Sequence, residues 1–162
     1  MQTDRVDEIL AQWRREQPEL NTETIAVVGR ILMASEMLKT RIQPVFEHYG
    51  ISFGGGDVLA SLRRNGPPYE LSPTHLYREL MLTSGTMTNR LDRLEQSGFI
   101  ARRPDPNDRR GTLVCLTPEG LAVIDEAMAE HMENERNLLS ALGAEEQQKL
   151  AQLLSRLIRS WD

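Results

Sequence analysis

The sequence predicts a mainly α-helical fold with one small β-hairpin wing, and three features of the chain point there. Between Ser72 and Thr117, two short helical patterns joined by a polar corner run straight into two β-rich runs around a tip of Asp, Pro, Asn and Arg. On both sides of that stretch lie amphipathic helical patterns with more apolar surface than a small helix-turn-helix module needs. Aromatic residues make up only 5% of the 162 positions, while helix formers abound.

The elements follow in order. Val6, Ile9, Leu10 and Trp13 fall at i, i+3, i+4 and i+7, a short amphipathic helix that ends before Pro18. A helix this short is marginal alone, so its stripe must lie on something, and Trp13 serves equally as core or as the wall of a pocket. Residues 21–48 form a longer helix capped by Asn21 or Thr22, with Ile25, Val28, Ile31 and Leu32 on its face and Gly50 at its end. Next, Gly54, Gly55 and Gly56 precede Asp57, Val58, Leu59 and Leu62. Each interior glycine costs about 1 kcal/mol relative to alanine, so this helix start is either frayed or pressed against another backbone. Asp57 follows as an acid near the helix start, where the macrodipole favours a carboxylate. Asn65 to Pro68 spell a turn into an extended piece at Tyr69 to Leu71.

Ser72 and Pro73 start the first helix of the central pair, serine accepting from a free amide and proline losing no bond at the first position. Thr83 or Ser84 caps the second helix, whose Met87, Leu91 and Leu94 at i, i+4 and i+7 form an inward stripe; Gly98 ends it. Phe99 to Arg103 and Leu113 to Thr117 alternate as strands. Thr117 and Pro118 start another helix that lasts to Leu142, and a last one carries Leu150, Leu153, Leu154, Leu157 and Ile158 on one side. The chain thus divides into N-terminal helices (1–50), a helix-turn-helix with its wing (51–117) and C-terminal helices (118–162), the terminal helices of two copies packing around a two-fold axis as a homodimer.

The central pair carries the chemistry. At about 100° per residue, Thr86, Asn89 and Arg93 point away from the apolar stripe, an outward face of small, amide and guanidinium groups, and Ser84 and Thr88 of the same helix are further DNA-binding candidates. Such side chains enter a major groove and bond base edges, Arg suiting guanine and Asn adenine. Arg109 and Arg110 sit at the hairpin tip, within reach of phosphates or a narrow minor groove. Arg90 lies only about 70° from the centre of the apolar stripe and flanks the core. The bland alternative for the tip is a solvated turn. The chain as a whole carries a net charge of −5, yet Ser84 to Arg110 holds six arginines against four carboxylates, giving +2 there and leaving −7 elsewhere. A basic patch on an acidic body favours one docking orientation on double-stranded DNA.

Other classes are poorly served. Val6 to Trp13 is interrupted by acids and no apolar run approaches a membrane span, so a cytoplasmic protein without membrane attachment is expected. The lone Cys115 makes no internal disulfide, and its predicted strand favours packing over a redox role. His48, His75 and His131 are widely spaced without metal-ligand company, no cofactor is implied, and no catalytic triad or phosphate loop marks an enzyme. A protein-docking winged module is the alternative to a DNA reader.

The run LTSGTMTNRLDRLEQSGFIARRPDPNDRRGTLVCLTPEG, with Asp108 and Arg110 as a D-x-R wing motif, resembles the recognition helix and wing of MarR-family transcriptional regulators, dimeric winged helix-turn-helix proteins. The likeness extends over about residues 22–160. One departure is Tyr77, where the family commonly has a small residue. The resemblance implies a repressor role at a pseudo-palindromic operator relieved by a small anion. It narrows further: Trp13, Asp57, Arg90 and Arg102 stand where the urate-responsive branch has its ligand residues. By that likeness Trp13 and Arg90 hold an anionic purine, urate or a relative, and Asp57 pairs with an arginine, first of all Arg102. Another aromatic or carboxylate anion, or no effector, are the alternatives.

Overall fold

The computed structural model describes residues 3–161. The elements, in order, are α1 (Arg5–Glu16), α2 (Ile25–His48), α3 (Phe53–Arg64), β1 (Glu70–Leu71), α4 (Pro73–Glu79), α5 (Ser84–Gln96), β2 (Ile100–Asp105), β3 (Asp108–Leu116), α6 (Pro118–Leu138) and α7 (Ala144–Ile158). Among the described residues no helix is long and apolar enough to cross a membrane. The fold is mainly helical with a small antiparallel sheet, as expected.

Packing groups the chain into two units, Met1–Arg41 and Ile42–Asp162, with the division inside α2. The reason lies in the core. Ile42 and Phe46 from the last turns of α2, and Ile124 and Ala127 from α6, join Leu59, Leu76 and the rest of the helix-turn-helix in one buried cluster. The residues that frame the central module therefore belong to it.

In the first unit, Asp4 caps α1 by accepting from the Val6 and Asp7 amides at 2.9 and 3.0 Å, while Asp7 accepts from the Asp4 amide at 3.0 Å. Arg30 of α2 reaches both acids, donating to Asp4 at 2.8 Å and to Asp7 at 2.7 Å. Helix α2 starts at Ile25, later than the expected cap: Asn21 accepts from the Glu23 amide at 3.1 Å within a preceding turn.

In the second unit, the glycine run of α3 is neither frayed nor set against backbone. Ser52 caps the helix, its hydroxyl accepting from the Gly55 amide at 3.1 Å. A methyl group at Gly56 would stand 2.5 Å from the Phe46 ring, and one at Gly54 would stand 2.4 Å from the Arg90 guanidinium carbon. Glycine is there to admit two large side chains. The backbone-on-backbone contact expected at Gly54 to Gly56 occurs at Gly120, where a methyl group would lie 1.9 Å from the Phe99 carbonyl oxygen.

The sheet has the order β1-β3-β2, with Glu70 opposite Cys115 and Arg102 opposite Val114. The extended piece at Tyr69 to Leu71 thus becomes a third strand beside the expected hairpin. Two strands alone are marginal in water, and the third buries Leu71. Tyr77 packs partly buried against the core cluster.

Candidate nucleic-acid interface

Helix α5 owes its orientation to its own sequence. Thr83 caps it, accepting from the Thr86 amide at 3.3 Å, and Met87, Leu91 and Leu94 are buried. Ser84, Thr86, Thr88, Asn89 and Arg93 are exposed. Two of the hydroxyls are already engaged at the helix start, Thr86 with Thr83 at 2.9 Å and Thr88 with the Ser84 carbonyl at 3.0 Å. Asn89 and Arg93 are the long groups on this face.

Arg109 and Arg110 are exposed at the start of β3. The acids around them shape the turn: Asp105 accepts from the Asn107 amide at 2.8 Å and Asp108 from the Arg110 amide at 3.0 Å. Among the described residues, Arg93, Arg109 and Arg110 form no ion pair. The other arginines of the patch are committed. Arg102 bridges Asp92 at 2.6 Å and Glu95 at 2.7 Å, Arg103 pairs with Glu70, and Arg90 faces Asp57. The charge count from sequence therefore overstates the number of free cations and leaves three outside any ion pair among the described residues.

Arg90 sits on the flank, as the helical wheel requires, with its side chain 26% exposed. Its Nη1 donates to the Gly54 carbonyl at 3.1 Å and lies 3.9 Å from the Asp57 carboxylate. Beside it opens a cleft of roughly 380 Å³ lined by Arg90, Arg93, Ser52, Gly50, Gln96 and Ser97, among others. The expected Asp57–Arg102 pair is not formed. Arg102 emerges at the root of β2 directly beside the last turns of α5, where Asp92 and Glu95 at i and i+3 face it, and Glu95 also accepts from the Arg102 amide at 3.2 Å. Asp57 is likewise not a first-turn acid; the first turn of α3 has none. Burial pushes its carboxyl above the usual range, and Arg90, Arg64 and His131 work against that. Trp13 lies on α1 in the other unit, 39% exposed.

Cys115 is half-buried with its thiol 3.4 Å from the Glu70 carboxylate, and burial raises its pKa. Among the described residues no three His, Cys, Asp or Glu side chains are grouped to hold a metal.

Comparison with known proteins fits this geometry. The family model described as "MarR family" matches residues 56–112. The transcriptional regulator PecS of Dickeya dadantii is 42% identical over 152 residues, which is 94% of this chain and 92% of the relative. The chain belongs to the MarR family. The multiple antibiotic resistance protein MarR of Salmonella typhimurium is 36% identical, covering 62% of this chain and 69% of that one. Among solved structures, the Streptomyces coelicolor MarR-family regulator Sco5413 superposes with a TM-score of 0.77 at 28% identity, covering 86% of this chain and 96% of that chain. A mutant Escherichia coli MarR complexed with operator DNA gives a TM-score of 0.73 at 26% identity, covering 96% and 99%. As a MarR-family member this chain is a winged helix-turn-helix transcriptional regulator that binds operator DNA, and it is not an enzyme.

Within the MarR frame, sequence reasoning missed three residues. Gly54 makes room for Arg90, and Asp92 and Glu95 hold Arg102. The spacing of Asp92 and Glu95 on one side of α5 was the available signal for the last pair.

Proposed function

We propose that the chain acts as a homodimeric repressor of a pseudo-palindromic operator, released when a small anion enters beside Arg90. In this reading Ser84, Thr86, Thr88, Asn89 and Arg93 face the major groove, and Arg109 and Arg110 reach the flanking backbone or minor groove. Two-fold symmetry sets the half-sites about one helical turn apart. Support for the second copy comes from α7, which has no buried residue although Leu150, Leu153 and Ile158 line one side of it. Val27, Val28 and Leu32 of α2 are also more than half exposed. Monomeric soluble proteins rarely leave such apolar stripes to water, and where they do the stripes mark interaction surfaces.

The observation that carries the release mechanism is the tether of Arg90. It projects from the reading helix, holds the Gly54 carbonyl, faces Asp57 and borders the cleft. An anion that takes the guanidinium from Asp57 acts directly on the helix that meets DNA. Urate or a related purine suits a guanidinium fork and the flat face of Trp13, and an aromatic carboxylate or phenolate is the alternative effector.

The test is a titration of urate, then of a phenol and a carboxylate, in a Trp161→Phe background where Trp13 is the remaining indole. The expected result is quenching of Trp13 and a loss of operator affinity of roughly 5- to 150-fold, the span of a coupling energy of about 1–3 kcal/mol. Arg90→Gln should abolish both. If millimolar urate changes neither signal, the purine reading is wrong, and if no anion changes them the release mechanism is wrong.

Asp57 gives a pH prediction. Its folded carboxyl holds a proton more tightly than the unfolded chain does, so native stability falls as pH rises through and above the ordinary carboxylate range. Asp57→Asn should therefore raise the melting temperature at pH 7 and lose that advantage near pH 3. An equal gain at both values would show that titration of Asp57 is not the cause.

A further inference from the structure

We propose that Arg102 and Arg103, consecutive at the root of β2, are positioning residues that brace the wing against α5 on one face of the sheet and against β1 on the other, without touching DNA or effector. This rests on the DNA-binding reading of α5 and the wing. Successive strand residues point to opposite faces. Arg102 accordingly turns to α5, where it forks across Asp92 at 2.6 Å and Glu95 at 2.7 Å while its amide donates to Glu95 at 3.2 Å. Arg103 turns the other way, crosses β3 beside the Cys115 thiol at 3.3 Å and pairs with Glu70 of β1. Glu70 is the best shielded carboxylate of the group, its side chain 19% exposed.

Exposed ion pairs contribute little stability individually, so the role of this set is geometric. From Arg102 to the turn after Asp105 the wing projects three residues, about 10 Å at about 3.3 Å per residue. A tilt of about 20° at the root would move the tip by roughly 3–4 Å, the length of a hydrogen bond to phosphate. Arg109 and Arg110 can meet the duplex in register with α5 only if that root is fixed from both faces. Both guanidiniums are committed to carboxylates, so neither adds a free cation to the surface that meets DNA.

The test compares wild-type protein with the Arg102→Gln/Arg103→Gln double variant on one operator, by hydroxyl-radical footprinting and by affinity across a salt series. The brace predicts at least a tenfold loss of affinity, loss of the protection flanking each half-site, retained protection where α5 lies, and a salt slope that falls as the tip contacts are lost, with no further loss of affinity or slope when the same pair is replaced in Arg109→Gln/Arg110→Gln protein. A further fall of about 0.9 per arginine in the Arg109→Gln/Arg110→Gln background, where the tip contacts are already gone, would make them phosphate contacts and overturn the proposal. An unchanged affinity and footprint would overturn it too. If the glutamine variant fails to fold, Arg102→Lys/Arg103→Lys carries the comparison: it keeps the charge and cannot fork across two acids, so flanking protection should still be lost. Wild-type protein that protects no duplex would overturn the DNA-binding reading and the brace with it; protection that is identical in wild type and variants overturns the brace alone.

Discussion

Gly120→Ala should cost the second unit roughly 3 kcal/mol or more of stability, although the same substitution inside an unobstructed helix gains about 1 kcal/mol. The sign reverses because an alanine methyl group would stand 1.9 Å from the Phe99 carbonyl oxygen, a backbone atom that cannot step aside. That oxygen also accepts from the Thr117 amide at 3.1 Å, while the Thr117 hydroxyl donates to the Gly98 carbonyl at 2.7 Å and accepts from the Gly120 amide at 2.9 Å. These bonds seat the start of α6 on the corner between α5 and β2, so a shift there displaces both the reading helix and the wing. Urea unfolding should show a lower midpoint at unchanged slope. Gly85→Ala is the control: nothing lies within 4 Å of a methyl group at Gly85, and a small gain in stability is expected there. Equal effects at the two positions would contradict the packing described.

Neutralising Arg109 and Arg110 together is expected to have the largest effect on binding. Each charge-assisted contact is worth about 1.5 kcal/mol or more, roughly tenfold apiece. Loss of four phosphate contacts in a dimer should also lower the salt slope by about 3.6, at about 0.9 per contact. Electrophoretic or anisotropy measurements of Arg109→Gln/Arg110→Gln across a salt series give both quantities. The root arginines act through these same contacts, so their removal should add little once the tip is neutral. An unchanged slope here would place the tip in solvent.

Much of α5 was legible because it depends on local rules. Period and caps alone put Met87, Leu91 and Leu94 inward, the N-cap at Thr83 or Ser84, and Asn89 and Arg93 outward; the structure selects Thr83. The flank position of Arg90 followed from the same wheel. Residues whose roles depend on distant chain were not legible. A charge pattern on α5 does not say whether Asp92 and Glu95 meet their own helix or a strand, so the partner of Arg102 was misassigned to Asp57. Three adjacent glycines announce a close approach without naming what approaches, and here it is the Phe46 ring and the Arg90 guanidinium. Gly120 reads as an ordinary residue behind a Thr-Pro-Glu helix start, and only the approach of Phe99 shows why a side chain is excluded. β1, two residues long, has too little pattern to register as a strand.

The account stands on two α5 helices, one from each of two copies, presented to one duplex at a fixed separation. Operator variants with five base pairs inserted between the half-sites test this most directly, because half a helical turn puts the second major groove on the far side of the duplex. The account predicts a two-subunit complex on the native spacing by light scattering and loss of that complex on the inserted one. Binding that ignores the insertion, or a complex holding one copy of the chain, would contradict it.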